Sequence, residues 1–465
     1  MMVGKLASTD GATYISRNED RVAPIEGKSF VVKAAVTGRH ETYVSPYNKL
    51  TVPMPESGMR YTCLPSADQS KGPNEEAGIN EANVGESATE TVHANDRVLA
   101  YDPWVKNGFA EDSLTNTVLP FIHSAKEGVE YVGKLINKYG AAEGSGIQFN
   151  DADNVWYIEI VSGHQWAAVR IPDDSYAVAA NQVAIQDIDF NDPDNYQWAP
   201  HIREFVKKHG LNPDIDRWDF RHIFGTSRHF DRHYNTPRVW FAQRYLSPKG
   251  SAGQSPEDPE MPFIRKAERK ISVEDIQYVL KSHYNETPYD PLGNGTEEQK
   301  KVYRSIALAR TAESHIVTVN GQQEVPAVQW VEFGTPTFCP YVPFFTNAND
   351  TDDSYNHFPK KINLDNAFWL QEALAGVVES HYDDFMKQDQ DYQNGLNSWG
   401  RAKILAVNQH VKESGLTGKD LTVYLTDVNH EIASHYNAKT KELLLNLLAQ
   451  NPNFSKLTFK LDPTL

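Results

Sequence analysis

The sequence predicts a layered α+β fold, on the evidence of its strand and helix patterns. Short segments rich in Val, Ile, Tyr, Phe and Trp are bounded mostly by turn residues, a pattern typical of antiparallel strands and hairpins. The longest helical patterns lie near the C-terminus. Strand pairs precede helices without regular strand–helix–strand alternation, which favours an α+β domain over a doubly wound one.

The predicted strands share β-branched and aromatic residues at short spacing. They cover residues 12–16, 30–36, 155–161, 166–171, 239–245, 314–319 and 328–333. The last two are expected to pair across Asn320-Gly321, a strong hairpin dipeptide.

Helical periodicity is clearest in four regions. Apolar residues mark one stripe over 129–139, which Gly140 closes as a C-cap. Asp365 is expected to cap a second helix that runs towards Phe385. The third and fourth helices are predicted over 405–411 and 431–450.

Composition excludes several classes of protein. The 465 residues carry a formal net charge of −17, and this acidity disfavours nucleic-acid binding, which needs a basic surface. No apolar run approaches the roughly 18 residues that a membrane span needs. The N-terminus lacks a secretory signal pattern, and two cysteines cannot build a disulfide framework in a chain of this length. We therefore expect a cytoplasmic protein with no nucleic-acid or membrane partner.

Metal and cofactor motifs are weak. His229 and His233 stand at helical i, i+4 spacing, but the glutamate of a zinc-protease motif is missing and arginines fill the gaps. No nucleophile elbow or phosphate-binding glycine loop is present. Cys63 and Cys339 lie in apolar surroundings, which predicts buried, unreactive thiols. We expect neither a metal nor a cofactor.

The first twenty residues carry the most information. A strand reaches Asp10-Gly11, a hairpin-turn dipeptide, and the next strand ends in Arg17-Asn-Glu-Asp20. Further along stand Gly78-Ile-Asn-Glu81 and Ser87-Ala-Thr-Glu-Thr91. Later blocks include Trp156-Tyr-Ile-Glu-Ile160, Tyr234-Asn-x-x-Arg238-x-Trp240 and Arg310-Thr-Ala-Glu-Ser-His315. In number and order, these blocks resemble the bacterial cysteine dipeptidase A family, relatives of penicillin V acylases and bile-salt hydrolases among the N-terminal-nucleophile hydrolases.

This resemblance runs nearly end to end and implies one domain over 1–465. The fold it implies is a four-layer αββα sandwich, with surface insertions expected near 186–235 and 247–297. The implied nucleophile is an N-terminal cysteine whose own α-amine, with a pKa near neutrality, serves as base.

The resemblance carries four active-site residues over to this chain. Arg17 and Asp20 would orient the cysteine and polarise its sulfur. Asn181 matches an oxyanion-hole asparagine of the acylase relatives, and Arg238 matches a further active-site arginine. The structural alternative for Asn181 is a turn residue. The structural alternative for Arg238 is cation–π packing against Trp240.

Two further residues are assigned to substrate binding. Glu90 stands where the acylase relatives have a second oxyanion asparagine, and its carboxylate suits the free ammonium of a dipeptide. Asn80 is grouped with it, with a turn role as the alternative.

The nucleophile itself departs from the family pattern. Counting back from Gly4 places the family's cysteine three residues before Met1, where the printed chain has no residue. Three explanations stay open: a start assigned too late, a trimmed chain, or a pseudoenzyme. The chain as printed is therefore expected to be inactive.

The predicted function is a cytoplasmic dipeptidase that acts on dipeptides and requires no cofactor. A homo-oligomer is compatible with the sequence. The alternatives are an inactive binding protein that retains the pocket, and an amide acylase for N-acyl substrates.

Overall fold

A computed structural model describes residues 1–21 and 26–454, without the side chains of Thr89, Glu90 and Asn453. Its strands, in chain order, are β1 (Met2–Val3), β2 (Thr13–Asp20), β3 (Val31–Lys33), β4 (Thr42–Val44), β5 (Thr51–Pro53), β6 (Tyr61–Cys63), β7 (Ala77–Ile79), β8 (Gly85–Thr91), β9 (Ser145–Asn150), β10 (Val155–Ile160), β11 (Trp166–Ile171), β12 (Ser175–Ala177), β13 (Tyr196–Trp198), β14 (Ile264–Lys266), β15 (Thr311–Val319), β16 (Ala327–Phe333) and β17 (Val342–Phe345).

The α-helices follow the same chain order. They are α1 (Asp96–Leu99), α2 (Leu114–Val118), α3 (Ala125–Tyr139), α4 (Ile202–His209), α5 (Phe220–Phe224), α6 (His229–Tyr234), α7 (Thr236–Leu246), α8 (Val273–Leu280), α9 (Asp353–Asn356), α10 (Ala367–Ser380), α11 (Tyr382–Ser414) and α12 (Gly418–Gln450). None of the described helices combines the length and the apolar character needed to cross a membrane.

Two antiparallel sheets stack face to face. The first has the strand order β14-β12-β1-β2-β15-β16-β17, and the second has the order β13-β11-β10-β9-β8-β7. Strands β2 and β15 of the first sheet pack on β8 and β9 of the second. Helix α3 covers the outer face of the second sheet, and α10, α11 and α12 cover β16 and β17 of the first. The four layers confirm the predicted αββα sandwich.

The hydrophobic core follows from strand alternation. On β2, Ile15 points into the cluster between the sheets, whereas Tyr14 points into the cluster under the C-terminal helices. Met2 packs between the sheets, and its neighbours Met1 and Val3 pack on the helix side. The start of the chain is therefore buried in the middle of the sandwich.

Most predicted strands are confirmed. The strand predicted over 166–171 matches β11, and the pair predicted over 314–319 and 328–333 lies within β15 and β16. The connection between β15 and β16 is longer than a two-residue turn. Asn320 N donates to Pro326 O, which closes the loop between them.

The strand predicted over 239–245 is wrong, since these residues belong to α7. Pro237 lies in the first turn of α7, where a missing N–H costs nothing. Phe241, Ala242 and Leu246 are buried in helical register. The aromatic and β-branched residues that suggested a strand instead make the buried side of a helix.

The predicted helices exist with different ends. Ser124 caps α3 by accepting from Glu127 N, and Gly140 closes it with φ of 75°, as expected. The cap of α10 is Asn366 and not Asp365, and α10 ends at Ser380 before Phe385 is reached. The helices predicted over 405–411 and 431–450 are the C-terminal parts of the long helices α11 and α12.

Candidate active site

A cavity of about 400 Å³ lies where β1 begins. The α-amine of Met1 lies in its lining and donates to Ser16 O at 2.6 Å. Met1 O in turn accepts from Ser16 N at 2.9 Å. Most of the other lining residues are polar or charged, among them Arg17, Asn18, Glu19, Asp20, Arg21, His93, Glu111, Gln148, Asn181, Tyr234, Arg238, Arg304 and Arg310.

The four residues assigned to the active site all line this one cavity. Arg17 and Asp20 lie on β2, Asn181 follows β12, and Arg238 lies on α7. Residues separated by more than 200 positions thus meet beside Met1. The sandwich explains this, because β2 and β12 flank β1 in the first sheet and carry their ends to the same edge.

Arg17 is largely buried and is fixed by contacts with the second sheet. Its Nη2 donates to a carboxylate oxygen of Glu76 at 2.6 Å and to Ala88 O at 3.0 Å. Burial opposes its charge, but the carboxylates of Glu76, Glu19 and Glu313 outweigh this and raise the pKa of Arg17. The guanidinium therefore stays charged and held in place.

Arg17 belongs to a buried ionic group, which we call the Glu76 cluster: Arg17, Glu19, Arg21, Lys28 and Glu76. Lys28 Nζ lies 2.7 Å from Glu19 and 3.5 Å from Glu76, and Arg21 pairs with both carboxylates. Burial favours the neutral acid, but the three cations hold the pKa of Glu76 low, at about 2. Burial and the nearby charge of Glu76 raise the pKa of Glu19 to about 8.

The backbone supports the central position of Glu76. Its φ is 54°, a left-handed conformation that a non-glycine residue seldom adopts. Such a conformation persists where surrounding contacts fix it, and the ion pairs to Arg17, Arg21 and Lys28 supply them.

A buried hydrogen-bonded chain stands behind Arg17. Ser87 Oγ lies 2.8 Å from His315 Nε2, and His315 Nδ1 lies 3.0 Å from the carboxylate of Glu313. The order matches that of a serine-hydrolase triad. All three side chains are fully buried, however, and Ser87 Oγ is also 3.4 Å from Arg17 Nε. This chain contacts Arg17 and does not line the cavity, so Ser87 is no candidate nucleophile.

Asn181 is oriented by Arg238. Arg238 Nη2 donates to Asn181 Oδ1 at 2.8 Å and to Asn235 Oδ1 at 2.8 Å. Because a guanidinium only donates, the oxygen of Asn181 faces the arginine and its Nδ2 amide remains a donor. That is the atom which an oxyanion site requires.

Asp20 lies on the opposite face of β2 from Arg17. It accepts from Thr311 Oγ1 at 2.6 Å and pairs with Arg304. Arg304 thereby joins a second group, the Tyr234 cluster: Tyr234, Arg238, Arg304 and Arg310. The guanidinium carbons of Arg238 and Arg304 lie 5.0 and 5.1 Å from the Tyr234 ring centroid, and Arg310 Nη2 donates to the Tyr234 hydroxyl at 3.2 Å.

The two residues assigned to substrate binding are placed differently. Asn80 is buried outside the cavity lining, where its Nδ2 donates to Leu119 O at 2.8 Å and Ile122 O at 2.7 Å. Its Oδ1 accepts from Ala82 N and Val84 N, which is the turn role. The backbone of Glu90 pairs with Gly146 on β9, but its side chain lies outside the described part of the structure.

The remaining candidates lie away from the cavity lining. His229 and His233 share α6, with their Nε2 atoms 3.1 Å apart. Cys63 and Cys339 are free and buried, and burial raises the pKa of both thiols well above the ordinary value, as the apolar surroundings suggested. A second cavity, of about 640 Å³, lies between α8 and α11 and is lined by Lys281 and Asp389, among others.

One group of carboxylates has the spacing of a metal site. Oxygens of Glu19, Glu76 and Glu111 lie within 4.8 Å of one another. Arg17, Arg21 and Lys28 already pair with Glu19 and Glu76, so the charge that a cation would supply is provided by the protein. The donor set therefore fits a structural ion-pair network better than a metal centre.

An αββα sandwich whose first strand begins at a polar cavity is the architecture of the N-terminal-nucleophile hydrolases. The chain belongs to one family of this class: the model of Peptidase family C69 matches residues 1–395. The family prediction made from the sequence motifs is confirmed.

Named relatives cover the chain almost completely. It is 60% identical to a probable dipeptidase of Latilactobacillus sakei, with 100% of this chain and 98% of the relative aligned. Identity is 39% to a probable dipeptidase B of Lactococcus lactis subsp. lactis, covering 99% of this chain and 96% of the relative. The identity to dipeptidase A of Lactobacillus helveticus is 36%, covering 99% of this chain and 98% of the relative.

One solved structure shows a slight likeness. A variant of the conjugated bile acid hydrolase of Clostridium perfringens aligns over 34% of this chain and 47% of its own, with 14% identity and a TM-score of 0.22.

Proposed function

We propose that this protein is a dipeptidase that uses an N-terminal cysteine, with the cavity at Met1 as its active site. The observation that carries the proposal is the convergence of Arg17, Asp20, Asn181 and Arg238 beside the α-amine of Met1. The names of the family relatives support dipeptides as the substrates.

Strand register supports the position of the nucleophile. On β1, Met2 faces Ile15 of β2 on one side and Ala177 of β12 on the other. A strand that continued β1 backwards in the same register would bring the third residue before Met1 opposite Glu19 and beside Asn181. This is the position where the family resemblance expects the cysteine, and it adjoins the cavity lining.

The chemistry follows from the groups around that position. The thiol would transfer its proton to the α-amine of the same cysteine, and the sulfur would attack the peptide carbonyl. The Nδ2 of Asn181 would stabilise the oxyanion of the tetrahedral intermediate. Collapse of the tetrahedral intermediate would break the C–N bond and leave a thioester on the cysteine. The α-amine would pass the proton that it took from the thiol to the departing amine. Water would then hydrolyse the thioester and release the second amino acid.

Arg17 and Asp20 would act on the cysteine from β2. The charge of Arg17 is maintained by carboxylates, so it would favour the thiolate over the thiol. Asp20 is held by Thr311 and Arg304, which would fix it for orienting the new α-amine.

The test is hydrolysis of free dipeptides by two matched proteins. Both extend the chain by three residues, with any leader removed, and carry either cysteine or serine with a free α-amine at the third position before Met1. We expect hydrolysis by the cysteine form, its loss with iodoacetamide and persistence in EDTA. The serine form is expected to be inactive, because Cys63 and Cys339 are buried outside the cavity lining. Equal activity without the cysteine would contradict the proposal.

A substrate panel separates the alternatives. Hydrolysis of N-acyl amino acids in preference to free dipeptides would indicate an amide acylase. Binding of dipeptides without hydrolysis by the cysteine form would indicate a binding protein.

A further inference from the structure

The Tyr234 cluster gathers three guanidinium groups on one side of the cavity. Arg238 and Arg304 lie against the Tyr234 ring, and Arg310 donates to its hydroxyl. All four residues line the cavity. Groups of like charge at such short range repel one another unless anions offset them.

The three arginines differ in what offsets their charge. Arg304 has the carboxylate of Asp20. Arg238 is surrounded by oxygen acceptors from Asn181, Asn235 and the backbone of Tyr234.

Arg310 contacts neutral groups. Its Nη1 donates to Arg21 O at 3.1 Å, and its Nη2 donates to the Tyr234 hydroxyl at 3.2 Å. Over residues 1–21 and 26–454, no carboxylate described lies within ion-pair distance of Arg310. A guanidinium has five N–H donors, so these two contacts leave the group with capacity for another acceptor.

The backbone fixes Arg310 next to the reacting end of the site. Arg21 N donates to Arg310 O at 2.9 Å, which ties the residue to the end of β2. Its neighbour Thr311 holds Asp20. A ligand anion on Arg310 would therefore lie in the same cavity as Asp20 and Asn181.

We propose that Arg310 binds the free C-terminal carboxylate of the substrate, with the Tyr234 cluster supplying the positive surroundings. The inference rests on the proposed dipeptidase function and extends it: the site distinguishes an α-carboxylate from an uncharged C-terminus. Arginine suits this task because its planar fork of donors matches a carboxylate.

The test is calorimetric binding of two probes to the protein. The probes are L-alanyl-L-alanine and its C-terminal amide. We expect the acid to bind about tenfold more tightly than the amide. Arg310→Gln should remove this difference by weakening the acid alone, and Arg310→Lys should retain part of it, because charge remains and the fork is lost.

Arg97→Gln is the matched control, since Arg97 is exposed on α1 and lies outside the cavity lining. It should keep the wild-type preference. Circular dichroism and thermal unfolding check that each variant is folded. If Arg310→Gln does not fold, Arg310→Lys is the variant that tests the inference. Wild-type binding that does not distinguish acid from amide, no binding at all, or an unchanged preference in Arg310→Gln would overturn the inference.

Failure of this inference is separable from failure of the proposed function. A carboxylate preference that depends on Arg310, without hydrolysis by the cysteine form, would contradict the dipeptidase proposal alone. Hydrolysis whose acid-to-amide ratio is unchanged by Arg310→Gln would contradict the assignment of Arg310 alone.

Discussion

The Glu76 cluster and the Tyr234 cluster place arginines on two sides of one cavity, and the arginines differ in the groups that they contact. In the first, buried cations face carboxylates of the same chain. In the second, Arg310 contacts a hydroxyl and a backbone oxygen. In the first group each cation is paired with a carboxylate of the chain, whereas Arg310 in the second group keeps N–H donors for an anion from outside. The same residue type thus serves structure on one side and, in our proposal, substrate on the other.

Removing the central carboxylate of the Glu76 cluster gives the largest expected effect. Glu76→Gln keeps the size of the side chain but leaves Arg17, Arg21 and Lys28 short of a buried partner. We expect the free energy of unfolding at pH 7 to fall by about 3–5 kcal/mol, measured by chemical denaturation.

Arg310→Gln is the comparison within the same cavity, and it should change stability by less than about 1 kcal/mol, since no ion pair is broken. The folded pKa of Glu76, about 2, lies below its ordinary value. Its contribution to stability is therefore present above pH 4.5 and is lost as the pH falls towards 2, and Glu76→Gln should lack this acid-dependent loss. Equal destabilisation by the two variants would contradict the distinction between the clusters.

A smaller effect, of opposite sign, is expected at Glu111 beside the Glu76 cluster. Burial and the charge of Glu76 raise the pKa of Glu111 to about 7. The unfolded chain loses this proton near pH 4.5 and the folded chain near pH 7, so ionisation lowers the free energy of unfolding as the pH rises between them. Glu111→Gln should match the wild type near pH 4 and exceed its stability by up to about 3 kcal/mol at pH 8. A difference that is constant with pH would contradict this explanation.

Local signals in the sequence predicted many of the helices and strands. Helix α3 was recognisable because its stripe, its Gly140 cap and its length agree. Strand β11 was predicted with its exact bounds because hydrophobic residues and turns coincide there. In α7 the composition favoured a strand, but the segment forms a helix because one helical face is buried against the rest of the fold.

The site was predictable only through the resemblance. Arg17 and Asp20 lie close together in the sequence, but Asn181 and Arg238 reach the cavity through sheet pairing that no local pattern encodes. Partners such as Glu76 and the buried chain from Ser87 to Glu313 were missed for the same reason, since they join segments far apart in the chain. The one usable signal was Glu313-x-His315, because alternate residues of a strand share a face.

We propose that the reacting thiol precedes β1, three residues before Met1, and that neither Cys63 nor Cys339 takes its place. The most direct measurement is mapping of iodoacetamide labelling by mass spectrometry on the cysteine form, with and without a dipeptide. The chain provides its own controls, because Cys63 and Cys339 are fully buried and burial raises the pKa of both thiols.

We expect label on the N-terminal cysteine alone, in proportion to the activity lost, and protection of that cysteine by the dipeptide. Loss of activity that follows label on Cys63 or Cys339, or full activity after the N-terminal cysteine is labelled, would rule out the N-terminal thiol as the nucleophile.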